Sequence, residues 1–415
     1  MNRLLKVTPA FLLIFVIAVA NSSGQNPTAS SLVVRELDTP ARAASGQPNL
    51  HASADGRVYL TWLEAIGEKR HALRFAVFNG RGWSESRTIV EGEDMLVNPA
   101  DFPSLVVPPG GSMVAHWPVK GEPGTHASSI RIARSTDGGK TWSKPVIPHT
   151  DRSMTEHGFV SMLPWPGGRA LAVWLDGRNM KEEHNGGHGS STGGTNLRYT
   201  IIGTDGRASE DLLIDPRACE CCQTSAALTS EGSLVVYRDR SEKEVRDISA
   251  VRFSKGKWSE PLVVSADGWE IHGCPVNGPS VSADGRRVAV AWFTAAKETP
   301  RVKVAFSGDA GASFGQPIQV DDSSPTGRVD VLMLSDGSAL VSWLERTAKG
   351  GEVRVRRIKP DGSRDQSVTL AESSALRVTG FPQMARTGNE VIFAWTQPGA
   401  TSRVRTVVAK LGNQK

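Results

Sequence analysis

Four cysteines are the residues of this 415-residue chain best suited to chemistry, and three stand together in Cys219-Glu220-Cys221-Cys222. The fourth, Cys274, lies in His272-Gly273-Cys274-Pro275. An even cysteine count in an exported protein favours disulfides, one stapling two segments and one closing a local loop. A Cys-x-Cys or vicinal bridge is strained and easily reduced, which would make it a redox pair. Thiolates joined by His272, and by His157, would instead suit a soft or borderline ion such as Cu(I) or Zn(II). The expectation is structural disulfides among Cys219, Cys221, Cys222 and Cys274 and no cofactor, with a copper or zinc site at these cysteines and His272 as the alternative.

A second concentration runs Tyr237-Arg238-Asp239-Arg240-Ser241-Glu242-Lys243-Glu244-Val245-Arg246-Asp247. Guanidinium groups beside carboxylates can grip an anionic ligand through bidentate hydrogen bonds. An aspartate among them is then available as acid or base. On this reading Asp239 leads a catalytic set with Arg238, Arg240, Arg246 and Asp176, while Arg178, Glu345, His157, His272 and Arg328 contact the substrate. The competing reading is a solvated hairpin tip whose charges cancel. His184 and His188 fall in a Gly- and Ser-rich stretch between Leu175 and Asn196 that reads as an insertion or a lid.

The elements that position these groups come from a repeat. Seven short apolar runs end in Trp62, Trp117, Trp174, Tyr237, Trp292, Trp343 and Trp395, spaced 55, 57, 63, 55, 51 and 52 residues apart. A period just above fifty, with about four short strands per unit, is the signature of a β-propeller, whose blades bury both faces only when neighbours flank them. In the unit starting at Pro279 the strands read Pro279–Ala283, Val288–Phe293, Val302–Phe306 and Pro317–Val320. The last unit lacks a fourth strand, and an orphan strand at Ser31–Leu37 can supply it and close the ring. The count is seven blades, with six as the alternative, and residues 31–411 form one all-β domain.

Two turns carry a family mark. Ser135-Thr136-Asp137-Gly138-Gly139-Lys140-Thr141-Trp142 matches Ser-x-Asp-x-Gly-x-x-Trp, and Ser307-Gly308-Asp309-Ala310-Gly311-Ala312-Ser313-Phe314 matches it with Phe for Trp. The chain thereby resembles the Asp-box, or BNR-repeat, propellers of sialidases and their relatives. The resemblance implies that Asp-boxes sit on one face and any site on the other, among the loops between second and third strands and between blades. That face would carry both cysteine segments, the arginine-rich stretch, and the acids Glu64, Asp176, Asp239 and Glu345, each two positions beyond a strand-ending aromatic. Sialidases use three arginines, a tyrosine nucleophile backed by glutamate, and an aspartate acid. This chain has three tyrosines, Tyr59, Tyr199 and Tyr237, none in the last blades, and no Phe/Tyr-Arg-Ile-Pro segment.

The first twenty residues read as a signal peptide. Arg3 and Lys6 precede an apolar run and Ala18-Val19-Ala20, and residues 21–30 read as a flexible leader. The product is expected to be secreted or periplasmic, monomeric, and without a membrane span after cleavage. Net charge is +5 with acids and bases well mixed, which excludes the clustered basic stripe of a nucleic-acid binder. Three functions follow: an enzyme of glycosidase type acting on an anionic glycan, a propeller that binds glycan or protein, or a periplasmic metal or redox accessory.

Overall fold

Alternating apolar residues in each repeat unit fold into one antiparallel sheet, and seven sheets form around a central axis. The computed structural model of the chain describes residues 32–122, 125, 127–180 and 194–411. Blade 1 comprises Ser45–Ala52, Val58–Ala65, His71–Phe78 and Arg87–Gly92. Blade 2 has Ser104–Val106, Met113–Lys120 and Ser128–Ser135, with Val146 bridging Ile132 in the outermost position. Blade 3 runs His157–Trp165, Arg169–Asp176, Thr195–Ile202 and Leu212–Ala218. Blade 4 begins Ser225–Thr229, Gly232–Arg238 and Ile248–Ser254, and Lys257–Trp258 and Leu262–Ser265 both pair with its third strand. Blades 5 and 6 begin at Ser280–Asp284 and Pro325–Met333.

Blade 7 contains Gln383–Thr387, Glu390–Gln397 and Arg403–Leu411, and its outer strand is Leu32–Leu37 from the other end of the described chain. Leu32 lies opposite Leu411 and Leu37 opposite Thr406. The expected closure is therefore present, and it covers a strand edge that would otherwise invite pairing with another chain. The signal-peptide and leader expectations lie outside the described residues, as do His184 and His188.

The second strand of each blade is sandwiched between neighbouring sheets, so it is buried on both faces and reads as a nearly unbroken apolar run. Trp62, Trp174, Trp292 and Trp343 are fully buried there. Side chains two apart share a face, so where an acid stands two residues after the tryptophan, as in three of these four, it lies beside the indole. Trp62 Nε1 donates to Glu64 (3.3 Å), Trp174 to Asp176 (3.0 Å) and Trp343 to Glu345 (2.6 Å).

The innermost strands line a cavity of about 720 Å3 whose walls include His51, Ser104, Ser161, Thr224, Ser280 and Asp330. At the loop end Phe102 and Phe381 meet with ring centroids 6.0 Å apart. They pack in one apolar cluster with Phe159, Val276 and the three cysteines 219, 221 and 222.

The Asp-box turns hold neighbouring blades together at the other end. Asp137 accepts from the Lys140 and Thr141 N–H groups and from the Ser135 and Thr141 hydroxyls. Gly139 has φ +81°, and a Cβ there would sit 2.4 Å from the Phe75 ring of blade 1, so only glycine fits. Trp142 meets the same Phe75 edge-on at 6.2 Å.

Candidate cysteine and arginine site on the loop face

Two backbone seams bring the chemical residues together. The Cys219 N–H donates to Arg238 O (2.9 Å), tying the first cysteine segment to one arm of the arginine-rich hairpin. The Arg246 N–H donates to Trp269 O (2.9 Å) and the Ile271 N–H to Glu244 O (3.0 Å), tying the other arm to the segment that carries Cys274. The two cysteine segments also touch directly. A Cβ on Gly278 would lie 1.9 Å from Gln223 O, so this backbone crossing requires glycine.

All four cysteines are free thiols: Cys219, Cys221 and Cys222 are buried and Cys274 is exposed. Cys219 Sγ stands 3.9 Å from Cys221 Sγ and 3.5 Å from Cys222 Sγ. A disulfide requires about 2.05 Å, so the expected bridges are not formed here. Cys274 lies beside Cys221 and 3.7 Å from Glu220 Oε1. Burial opposes ionisation of Cys222. Hydrogen bonds from Cys219 and Cys221, the Arg238 charge and the Asn277 N–H overcome it and hold this thiol well below its ordinary range. Burial pushes Cys219 up to about 11, and hydrogen bonding with its neighbours pushes Cys221 up as well. The cluster thus favours one thiolate cradled by two thiols.

The arginines expected to clamp an anion are engaged by the protein. Arg238, 1% exposed, gives its N–H groups to the carbonyls of Asn277, Arg246 and Phe293 and stacks over Trp269 at 4.9 Å. Arg240 pairs with Glu244 (2.7 Å) and Glu220 (3.3 Å). Arg246 pairs with Glu244 (2.8 Å) and Glu220 (3.1 Å), and its Nη1 lies 3.2 Å from Cys219 Sγ. Arg328 donates to Val276 O and lies over Phe381, and burial lowers it to about 10. Arg178 is held by Asp176 and Asp211 at 2.7 Å each.

The candidate acids are similarly occupied. Asp239 accepts from the Arg240 N–H and the Ser249 hydroxyl, and burial raises it. Asp176 receives Trp174 and Arg178. Glu345 receives Trp343 and the N–H groups of Ser323 and Ser324. His157 lies between Asp151 (2.9 Å) and Ser128 O (3.2 Å) and stacks on His149 at 3.9 Å, a saturated arrangement. His272 is exposed and faces Glu270 at 3.6 Å, outside the sulfur group. The expected residues converge on one face, but most neutralise one another.

Residues without a repeat signature complete the site. Asn277 accepts from Arg238 through its carbonyl and from the Arg328 N–H through its side chain. Asp101 is buried, accepts from the Phe159 N–H, and leaves Oδ2 without a partner. Burial pushes its carboxyl up to about 7. Burial, with the charges of Asp101 and Glu220, pushes Glu156 up to about 8.

The chain matches no protein-family model and no curated protein sequence. Its backbone is similar to that of a protein of unknown function from Dyadobacter fermentans, with TM-score 0.52, 14% identity, and coverage of 92% of this chain and 98% of that one. An α-L-arabinanase from Penicillium chrysogenum, solved with arabinobiose, gives 0.51 at 13% identity, covering 93% and 99%. NanB sialidase from Streptococcus pneumoniae gives 0.46 at 12% identity, covering 93% and 70%. The propeller fold implied by the Asp-box turns is shown. At these identities the chemistry must be argued from the chain's own residues.

Proposed function

We propose that this protein is an exported propeller that binds a thiophilic metal ion, copper or zinc, at Cys219, Cys221 and Cys222. One observation carries the reading: three sulfurs from four consecutive residues face one another at 3.5 and 3.9 Å, and all lie within 4.8 Å of one another. Sulfurs about 2.3 Å from a shared ion in tetrahedral or trigonal array stand roughly 3.8 to 4.0 Å apart. Metal ligation requires thiolates. The Arg246 guanidinium at Cys219 and the Arg238 charge at Cys222 favour that form. Export strengthens the reading, because thiols outside the cytoplasm tend to oxidise unless they are bonded to something.

The test is metal content. Protein purified anaerobically and loaded with Cu(I) or Zn(II) is expected to retain one ion per chain by mass spectrometry, and Cys222→Ser to retain none. Four reduced thiols with no ion retained would overturn the proposal, as would oxidised cysteines that exclude metal.

The carboxyls Asp101 and Glu156 support a second reading, a glycosidase-type acid on the same face. A carboxyl raised to about 8 by burial stays protonated near neutral pH, as a general acid must. A screen of aryl glycosides should then show turnover that Glu156→Gln abolishes; no turnover on any substrate would count against it.

A further inference from the structure

Among the described residues, two buried guanidiniums beside the cysteines have no carboxylate partner. Arg238, 1% exposed, donates to three backbone carbonyls, and Arg328, 6% exposed, donates to Val276 O. By contrast, Arg240 and Arg246 share Glu220 and Glu244, so that quartet sums to zero charge. Isolated buried charges are costly, and both unpaired ones act electrostatically on the thiols: Arg238 on Cys222, and Arg328 on Cys221 and Cys222. The fold thus holds two positive charges ready for a dianion at the sulfur cluster.

We propose that the ion is copper(I), held three-coordinate by Cys219, Cys221 and Cys222, with Cys274 outside the coordination sphere. This rests on the metal-binding reading above and specifies the ion. Three thiolates and one Cu(I) carry a net charge of −2, which the two guanidiniums balance. Three thiolates and one Zn(II) carry −1 and leave a coordination position unfilled, whereas structural zinc sites are four-coordinate. To reach four sulfurs, zinc would have to recruit Cys274, which is exposed and touches Cys221 but does not join the three sulfurs that lie within 4.8 Å of one another. Two oxygen and nitrogen donors nearby are poorly placed: Glu220 is occupied by Arg240 and Arg246, and His272 is 73% exposed and faces Glu270. An all-sulfur donor set selects a soft ion. On binding, Cys219 and Cys221 release their protons to solvent, Cys222 enters as the thiolate it already is, three Cu–S bonds form, and no electron moves.

The experiment loads anaerobically reduced wild-type, Cys274→Ser and Cys222→Ser protein with Cu(I) alone or Zn(II) alone. Stoichiometry, affinity by chelator competition, and the number of sulfur neighbours by X-ray absorption are then measured. The expected result is one Cu(I) with three sulfurs in wild type and Cys274→Ser alike, with affinities within about threefold, and none in Cys222→Ser. Zinc should bind at least about a hundredfold more weakly. Arg328→Gln, checked for a native melting curve, should weaken Cu(I) binding about tenfold and leave the sulfur count at three. Loss of copper in Cys274→Ser, or tight four-sulfur zinc that needs Cys274, would overturn the copper assignment while leaving metal binding intact. Failure of wild type to bind either ion would instead refute the metal-binding reading itself.

Discussion

The two faces of the propeller handle acidic and basic groups in opposite ways. On the turn face each Asp-box is self-contained: Asp309 receives the Ser313 N–H and the Ser307 and Ser313 hydroxyls, all within four residues, and these hold it down to about 2. On the loop face, local pairs such as Arg178–Asp176 and Arg240–Glu244 are joined by partners far away in sequence, as Arg238 is held by Asn277 and Phe293. Among the described residues there, Arg238, Arg328, Asp101 and Asp239 make their hydrogen bonds to backbone groups or hydroxyls rather than to an opposite charge. Local satisfaction produces a rigid turn that needs nothing further, whereas distributed satisfaction leaves charge available for a ligand.

The largest effect expected from this contrast is all-or-none. Cys222→Ser should abolish metal retention and the associated rise in melting temperature, whereas Asp309→Ala on the turn face should leave both intact; equal losses would erase the distinction between the faces. Next comes Gly278→Ala, which drives a methyl into the Gln223 carbonyl and should cost roughly 3 kcal/mol or more in denaturant unfolding. The same variant should lower metal affinity, because it parts the two cysteine segments; a stable variant with unchanged affinity would show that they are positioned independently.

A smaller effect belongs to Asp101. Its folded carboxyl titrates at about 7 against a reference value of 3.8, so the folded state keeps a proton that the unfolded chain releases. Its favourable contribution is present in acid and lost as pH rises from about 4 through about 7. Asp101→Asn, which keeps an acceptor for the Phe159 N–H, should therefore gain roughly 1 to 3 kcal/mol over wild type at pH 8 and little at pH 4. A pH-independent difference would contradict the burial argument. Smallest is the turn-face control: Asp309→Ala should lose about 1 to 2 kcal/mol through its severed local hydrogen bonds.

Much of the architecture could be read from period and alternation. The strand-ending aromatics mark seven sheets, and a missing last strand with an orphan first one specifies how the ring closes. Convergence of Cys219, Cys221, Cys222, Cys274, Arg238, Arg240 and Arg246 follows from topology, since all lie on connections, or for Arg238 at the strand end leading into one, at one end of adjacent blades. What those groups do was less legible. Asp176 and Glu345 look like mouth acids, yet the two-residue period places each beside the tryptophan before it, where it accepts the indole N–H. That signal was in the spacing. The ion pairing of Arg240 and Arg246 and the carbonyl contacts of Arg238 depend on distances between segments that no repeat encodes. Asp101, Glu156 and Asn277 occupy inter-blade connections of irregular length, so no period marks them.

The proposed site places three sulfurs of the loop face around one soft ion. Copper-edge X-ray absorption on the Cu(I)-loaded wild-type protein tests it most directly. Three sulfur neighbours at about 2.3 Å and no nitrogen or oxygen are expected. A spectrum dominated by nitrogen or oxygen neighbours, or protein that takes up no copper while all four thiols remain reduced, would contradict it.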